Sequence, residues 1–276
     1  MTKKYLFLIF LLLPLTLWSQ EDISIGKKYS IYSNILQEER DFWVHLPDNY
    51  NPADTLSYPV IYLLDGELFF HSLVGISKTI SSSKNKYLPE SIIVGVISKD
   101  RTKDMTPVAS TIGRNGKPGF FETPQGGGSE RFNQFLTEEL RDKIQSEYKT
   151  NGKNTLVGHS YAGLFTLNTF LKHTVDFDKY IIIDPSLWWN GGSFMEEAKS
   201  IFSQKSFEGK DLYIAIASKE RKERNDVHVE NAKLFFNTIL PKAKNLFFVT
   251  KLFPEENHGT IGIPGIYDGL KQLYNK

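Results

Sequence analysis

A serine between small residues, where an apolar run meets a helical pattern, constrains this chain more than any other feature. The run 155–157 leads into Gly-His-Ser-Tyr-Ala-Gly at 158–163, and apolar residues at helical spacing follow to position 171. A serine on such a tight turn has a strained backbone, and its hydroxyl projects beyond the carboxyl end of the strand. The pattern G-x-S-x-G requires small residues because strand and helix nearly touch, and Ala162 replaces its second glycine. The stretch predicts Ser160 as a nucleophile; the alternative is a turn that only joins a strand to a helix.

Strand-like runs alternate with helical patterns along the rest of the chain. Continuously apolar runs, typical of strands covered by helices on both faces, occur at 59–64, 91–97, 180–183, 212–216 and 246–249. Two earlier segments, 29–36 and 41–46, have the pattern of antiparallel strands, and 129–148 that of a long amphipathic helix. This order predicts an α/β fold with a mostly parallel sheet, antiparallel N-terminal strands and helices on both faces. Reactive residues of such sheets gather beyond the carboxyl ends of the strands.

Charge and cysteine content exclude several classes of function. The 33 basic and 32 acidic residues nearly balance, so no global charge favours nucleic acid or an anionic membrane surface as a partner. The absence of cysteine excludes disulfides, thiolate metal sites and a cysteine nucleophile. No H-E-x-x-H motif is present, and we predict no metal site.

The first twenty residues have the pattern of an export signal. Lys3 and Lys4 precede an apolar core at 5–18, and a polar run begins at Glu21. The core is short for a membrane span, although an uncleaved anchor is the alternative. We predict a signal peptide at 1–20 and one mature domain at 21–276. That domain would have no membrane span and would work in the periplasm or outside the cell.

His258 is the predicted base for Ser160. A serine hydroxyl needs a base within hydrogen-bonding reach, and enzymes with this turn have the chain order serine, acid, histidine. His258 lies in a polar loop between the last strand and the last helix, beyond the expected reactive edge. His228 lies within a helical pattern and fits the role less well.

The acid that orients the base is expected in the loop after the run 212–216. Glu220 is the first carboxylate there and is our candidate, with Glu223 and Asp226 as alternatives. Each could equally be an ordinary solvated charge, and Asp226 could cap the next helix.

The oxyanion hole would use two backbone N–H groups. One belongs to Tyr161, which follows the nucleophile, and the other to the turn at Gly66 and Glu67 after the run 59–64. The alternative for Gly66 and Glu67 is a plain turn.

Substrate contacts are predicted from two other segments at the reactive edge. Trp188 and Trp189 follow the run 180–183 and could line a pocket, although core packing is the alternative. The stretch 99–128 has no clear period and is interpreted either as a wall of the cleft, with Arg101 as a substrate contact, or as a mobile loop.

The chain resembles the enterochelin-esterase-like group within the α/β-hydrolase superfamily. The resemblance spans nearly all of the mature chain and is carried by YLLDG at 62–66, DRTKDMTP at 100–107, GGG at 126–128, GHS at 158–160, PSLWW at 185–189 and ENH at 256–258. It implies hydrolysis of carboxylic esters through an acyl-enzyme, with Ser160 as nucleophile, His258 as proton carrier and no cofactor.

The resemblance leaves the substrate open between a siderophore ester and a feruloyl or acetyl ester of a carbohydrate. Binding an anionic siderophore would need cations, which the long loop offers at Arg101, Lys103, Arg114 and Lys117. Stacking on a sugar would instead use the aromatic residues Trp188, Trp189, Phe120 and Phe121. An acyltransferase and a non-catalytic binding protein on the same scaffold are the alternatives to hydrolysis.

Overall fold

The structure is a computed structural model, and it describes residues 22–82, 84, 86–114, 116–219 and 227–275. For residues 227–230 only the backbone is described. The predicted signal peptide at 1–20 lies outside the described residues and stays a prediction. Within the described ranges no helix has the length and apolar character needed to cross a membrane.

The predicted alternation of strands and helices is present. The strands are β1 (Lys27–Ser33), β2 (Glu38–His45), β3 (Tyr58–Leu64), β4 (Ile92–Val96), β5 (Ala109–Ser110), β6 (Gln125–Gly126), β7 (Thr150–His159), β8 (Lys179–Ile183), β9 (Asp211–Ala217) and β10 (Phe247–Phe253). The α-helices are α1 (Gly66–Ser82), α2 (Arg101–Met105), α3 (Ser129–Gln134), α4 (Arg141–Glu147), α5 (Tyr161–Lys172), α6 (Phe194–Gln204), α7 (Val227–Leu234) and α8 (Gly262–Tyr274). A π-helical stretch, Phe135–Leu140, joins α3 to α4, so the long helix predicted at 129–148 is one continuous rod with a local change of winding.

Eight of these strands form one sheet in the order β1-β2-β4-β3-β7-β8-β9-β10. The pairs β1–β2 and β2–β4 are antiparallel, and the remaining pairs are parallel. The prediction of a mostly parallel sheet with antiparallel N-terminal strands is therefore confirmed. The carboxyl ends of β3, β7, β8, β9 and β10 consequently meet at one edge, where reactive residues are expected.

Both faces of the sheet are buried because the inner strands contain runs that are apolar at consecutive positions. Alternate residues face alternate sides: Leu156 and Ile182 pack with α5 and α6 on one side. Val157 and Ile183 pack with α1 and α8 on the other. Strands covered in this way need the continuous apolar runs that the sequence shows.

The long stretch 99–128 is ordered where the structure describes it. It contains α2 and a two-stranded hairpin of β5 and β6, and Trp189 Nε1 donates to the carbonyl of Val108 at 2.8 Å. This stretch therefore packs against the segment that follows β8, at the carboxyl edge of the sheet.

Candidate active site

Ser160 lies on a strained turn between β7 and α5. Its φ of 63° and ψ of −117° are in a region that non-glycine residues rarely adopt. A Cβ atom at Gly158 would lie 2.2 Å from the carbonyl oxygen of Ala162, and one at Gly163 would lie 2.9 Å from that of Ile183. The motif therefore requires small residues, because the turn is in contact with the helix and the neighbouring strand. Ala162 fits into this space and is fully buried.

His258 reaches Ser160 from the loop between β10 and α8. Its Nε2 lies 3.0 Å from Ser160 Oγ, within hydrogen-bonding distance. The two residues are 98 positions apart, and the parallel order of β7 and β10 brings their loops to the same edge. The structure thus brings together the two side chains on which the sequence analysis depends.

The carboxylate on the other side of His258 is Asp184, and this differs from the sequence prediction. Asp184 Oδ2 lies 2.5 Å from His258 Nδ1, and its Oδ1 accepts the N–H of Ala217 at 3.1 Å. The side chain is 2% exposed, and the residue has a φ of 43° directly after β8. The predicted acid Glu220, with its alternatives Glu223 and Asp226, lies outside the described residues.

The physical reason for the difference is the geometry of neighbouring strands. β8 is adjacent to β7, so a residue that turns back immediately after β8 can reach an imidazole above Ser160. Asp184 was not among the carboxylates predicted from the sequence. The available signal was its position: an aspartate directly after the buried run 180–183, at the reactive edge and between Ser160 and His258 in the chain.

His159, beside the nucleophile, also contacts the base. Its Nε2 lies 2.9 Å from the backbone carbonyl of His258, which can only accept, so Nε2 carries the proton. The two imidazole rings are 4.8 Å apart. Burial, and secondarily the neighbouring His258, lower the pKa of His159 to about 4. His159 is therefore neutral near pH 7 and holds the loop of His258 through its N–H group.

The predicted oxyanion donors lie at the first turns of two helices. Tyr161 begins α5, and Gly66 and Glu67 begin α1. The first N–H groups of a helix have no acceptor within that helix, so they can point at a ligand. β3 and β7 are parallel neighbours with Leu63 opposite Val157, and α1 and α5 therefore start side by side.

Gly66 has a packing role that the sequence did not show. A Cβ atom there would lie 2.8 Å from the carbonyl carbon of Gly95 in β4, so α1 begins in close contact with that strand. The side chain of Glu67 is exposed and accepts the N–H of Ser98 at 3.2 Å. Only the backbone of Glu67 is thus placed for an oxyanion role.

The comparisons with known proteins agree with this geometry. The family model Esterase, described as "Putative esterase", matches residues 33–258. The chain belongs to this esterase family. It is similar to the ferri-bacillibactin esterase BesA of Bacillus subtilis, with 26% identity over 213 residues that cover 73% of each chain. It is also similar to the siderophore enterobactin esterase of Emericella nidulans, with 25% identity over 255 residues, 81% of this chain and 84% of the relative.

A solved structure extends the comparison to the fold. The esterase matches an IroE-like serine hydrolase from Shewanella oneidensis with a TM-score of 0.84 and 30% identity, covering 91% of this chain and 80% of the other. The protein is thus a serine-type ester-hydrolysing enzyme with an α/β-hydrolase fold.

The predicted substrate contacts of the esterase are more buried than expected. Trp188 is 6% exposed and Trp189 is 2% exposed, and each packs against the ring of Tyr161. Both rings therefore belong to the hydrophobic core beside Tyr161, which is the core-packing alternative. Arg101 donates to Asp65 and to the carbonyl of His159, the residue before the nucleophile.

Among the described residues of the esterase, no group of three or more His, Asp or Glu side chains is arranged to hold a metal ion. The expectation that the enzyme needs neither metal nor cofactor stays a prediction.

Proposed function

We propose that this esterase is an exported siderophore esterase that acts through a Ser160–His258–Asp184 triad and an acyl-enzyme. The observation that carries the proposal is the continuous line of contacts from Ser160 Oγ to His258 Nε2 at 3.0 Å and from His258 Nδ1 to Asp184 at 2.5 Å. Nucleophile, base and orienting acid in this geometry are the requirements for acyl transfer from an ester. Asp184 replaces Glu220 as the proposed acid.

Acylation follows from the positions of these atoms. Ser160 Oγ bonds to the carbonyl carbon of the ester while its proton passes to His258 Nε2. Asp184 stabilises the imidazolium that forms. The carbonyl π electrons move to oxygen, and the N–H groups of Tyr161 and Glu67 hold that oxyanion. The bond to the alcohol then breaks, and His258 returns its proton to the leaving oxygen.

Deacylation repeats the sequence with water. His258 Nε2 accepts a proton from water, whose oxygen bonds to the acyl carbon. The second tetrahedral intermediate expels Ser160 Oγ, which regains its proton from His258. The products are a carboxylic acid and the free enzyme.

Two observations support a siderophore ester as the substrate. The curated relatives named above act on ferri-bacillibactin and enterobactin, according to their names. In addition, the guanidinium of Arg114 lies 5.3 Å from the ring centre of Trp188, beside Tyr161. Burial raises the pKa of Tyr161, and the positive charges of Arg114 and Arg101 oppose that rise. Arg114 therefore places a positive charge close to Tyr161, and cations favour an anionic catecholate ligand.

The burial of the two tryptophans reduces the support for a carbohydrate ester. Stacking on a sugar needs an exposed ring face, and neither Trp188 nor Trp189 offers a substantial one. Phe120 is exposed, but its ring packs edge-on against Phe121 within the long loop.

Product analysis with defined substrates tests the proposal. Purified 21–276 would be given an enterobactin-type trilactone with and without iron, a feruloyl sugar and an acetylated sugar, and the products would be identified by mass spectrometry. We expect cleavage of the trilactone to the linear acid at a kcat/KM at least about tenfold above that for either sugar ester, and no cleavage by Ser160→Ala. Faster cleavage of a sugar ester, or transfer of the acyl group to a sugar hydroxyl in preference to water, would reject the siderophore assignment.

Export is the remaining part of the proposal and is supported by the composition of residues 1–20. Fractionation of cells that express the full chain, followed by N-terminal sequencing, tests it. We expect a mature chain that starts near Gln20 or Glu21 outside the cytoplasm. A full-length chain retained in the cytoplasm would reject export without affecting the assignment of the triad.

A further inference from the structure

We propose that Ser186 is a second catalytic hydroxyl of the site, which donates a hydrogen bond to Ser160 Oγ and stabilises the negative charge that this oxygen acquires during acyl transfer. The proposal rests on the triad proposed above. Ser186 lies in the segment PSLWW at 185–189, where only the two tryptophans were predicted from the sequence to be functional.

The hydroxyl of Ser186 is buried beside the nucleophile. The residue is 1% exposed, and its Oγ lies 3.4 Å from Ser160 Oγ. Within the part of the chain that the structure describes, this is the one hydrogen bond formed by the Ser186 side chain. Burying a hydroxyl without a partner is unfavourable. The contact with Ser160 therefore accounts for a polar side chain that core packing alone does not require.

The direction of this hydrogen bond follows from the rest of the triad. The carboxylate of Asp184 accepts, so Nδ1 of His258 carries the proton and Nε2 is the acceptor. The single hydroxyl hydrogen of Ser160 then points to Nε2, which lies 3.0 Å from Ser160 Oγ. Ser160 Oγ can therefore only accept in its contact with Ser186, and Ser186 is the donor.

Backbone contacts fix Ser186 against the turn that carries Ser160. The N–H of Ser186 donates to the carbonyl of Ser160 at 3.0 Å, and the carbonyl of Ser186 accepts the N–H of Trp189 at 3.0 Å. Asp184, two residues before Ser186, contacts His258. The segment after β8 thus serves both ends of the proton path, because its aspartate contacts the base and its serine contacts the nucleophile.

The contact should become stronger when Ser160 Oγ carries negative charge. Its 3.4 Å is longer than the usual distance of about 2.7–2.8 Å between hydroxyl groups, whereas charged acceptors form shorter and stronger hydrogen bonds. In acylation, Oγ becomes negative as its proton passes to His258 Nε2 while its bond to the ester carbon is still incomplete. In deacylation, Oγ leaves the acyl carbon with the bonding electron pair and then regains its proton from His258. A donor that binds Oγ more tightly at these two points than in the resting enzyme lowers both barriers.

The test compares Ser186→Ala with Ser129→Ala, which is a matched loss of a buried hydroxyl. Ser129 is 3% exposed, and its Oγ accepts a 3.5 Å hydrogen bond from Asn168 of α5. Burst and steady-state phases of p-nitrophenyl acetate hydrolysis give the rate constants of acylation and deacylation, and this ester does not depend on the siderophore assignment. We expect both rate constants to fall about 10- to 10²-fold in Ser186→Ala, as for loss of a hydrogen bond to a charged group. Ser129→Ala should match the unmodified enzyme.

Inhibition by an alkyl boronic acid distinguishes an effect on the charge of Oγ from a displaced turn. In the boronate adduct Ser160 Oγ is bonded to boron and no longer bears the negative charge, which lies on the boron group in the oxyanion hole. The inhibition constant of Ser186→Ala should therefore stay within about threefold of that of the unmodified enzyme. If Ser186 only held the turn of Ser160 and Tyr161 in place, boronate binding would weaken by the same factor as the rate constants.

A second variant covers the case in which Ser186→Ala changes the packing. Ser186→Cys keeps a side chain of similar shape, but its S–H group is a weak donor. We expect a normal melting temperature and rate constants between those of Ser186→Ala and the unmodified enzyme. Full activity of Ser186→Cys would show that packing, and not the hydroxyl donor, is what the site requires.

Rate constants of Ser186→Ala within about threefold of those of the unmodified enzyme would overturn the inference, and so would a lower affinity for the ester at unchanged rate constants, which would make Ser186 a substrate contact. Activity that survives in Ser160→Ala would instead reject the triad itself. The two failures are therefore distinguishable.

Discussion

The substitution Asp184→Asn separates the acid found in the structure from the one predicted from the sequence. Asparagine has nearly the same shape as aspartate but no charge, and its amide donates where the carboxylate accepts. At Asp184 this change affects a 2.5 Å contact between a carboxylate that is 2% exposed and His258 Nδ1.

Two effects set the size of the expected loss in kcat. Removing one partner of a buried charged pair costs about 3–5 kcal/mol, which applies here to the imidazolium that forms in the transition state. At 1.36 kcal/mol per factor of ten, this corresponds to a loss of about 10²- to 10⁴-fold in kcat. The amide also favours the tautomer in which His258 carries its proton on Nε2, where it cannot accept the proton of Ser160, so we expect the upper end of this range, about 10⁴-fold.

The assay is steady-state hydrolysis of p-nitrophenyl acetate at pH 8, with thermal unfolding to confirm folding. Glu220→Gln, Glu223→Gln and Asp226→Asn are the matched controls, since each neutralises one carboxylate that the sequence analysis considered. We expect each control to keep kcat within about threefold. If Asp184→Asn stayed within tenfold of the unmodified enzyme while Glu220→Gln lost 10²-fold or more, the reasoning from the structure would be refuted.

Two other predictions concern the residues beside Ser160. His159 has its pKa lowered to about 4, against about 6.5 in the unfolded chain, so only the unfolded state gains this proton as pH falls. The free energy of unfolding should therefore drop by about 3 kcal/mol between pH 6.5 and pH 4. In His159→Gln, which keeps an N–H donor, the free energy of unfolding measured with urea should change less over this pH range. Parallel pH profiles of the two proteins would contradict the prediction. Gly158→Ala should lower the free energy of unfolding by about 1–3 kcal/mol and abolish fluorophosphonate labelling, because its Cβ would meet the carbonyl of Ala162. Gly75→Ala, in open space on α1, is the matched change and should stabilise by up to about 1 kcal/mol; equal effects of the two would show that the clash is not the cause.

The sheet and its edge could be predicted because burial on both faces leaves a mark in the sequence. Runs such as 59–64 and 180–183 are apolar at every position, which only a strand between two helical layers requires. Ser160 and His258 could be predicted because each lies in a recognisable local segment at that edge. Ser160 lies in a turn of small residues, and His258 lies in a polar loop before the last helix.

The acid and Arg101 could not be assigned in this way because their roles depend on which strands are neighbours. Several carboxylates follow strands in this chain, and composition does not distinguish them. The order β7-β8-β9-β10 decides that a residue directly after β8, the strand next to β7, can reach the imidazole that contacts Ser160. For Arg101, the sequence shows a cation in a polar loop, and only the fold shows that its partners are the ends of β3 and β7.

Backbone strain connects these residues. Asp65, Ser160 and Asp184 have φ values of 53°, 63° and 43°, and each lies directly after the end of one of three neighbouring parallel strands. A positive φ costs a non-glycine residue about 1–2 kcal/mol, and of these three turns only that of Ser160, with its small neighbours, indicates it from the sequence. Each turn reverses the chain so that a hydroxyl, a carboxylate or a pair of N–H groups faces the same point above the sheet. Each is also held by contacts to another element: Arg101 for Asp65, His258 for Ser160, and Ala217 with His258 for Asp184. The backbone strain is therefore retained where residues at the ends of three strands must lie around one reacting carbonyl. Replacing any of the contacts that hold these turns should lower the rate of acyl transfer before it affects the fold.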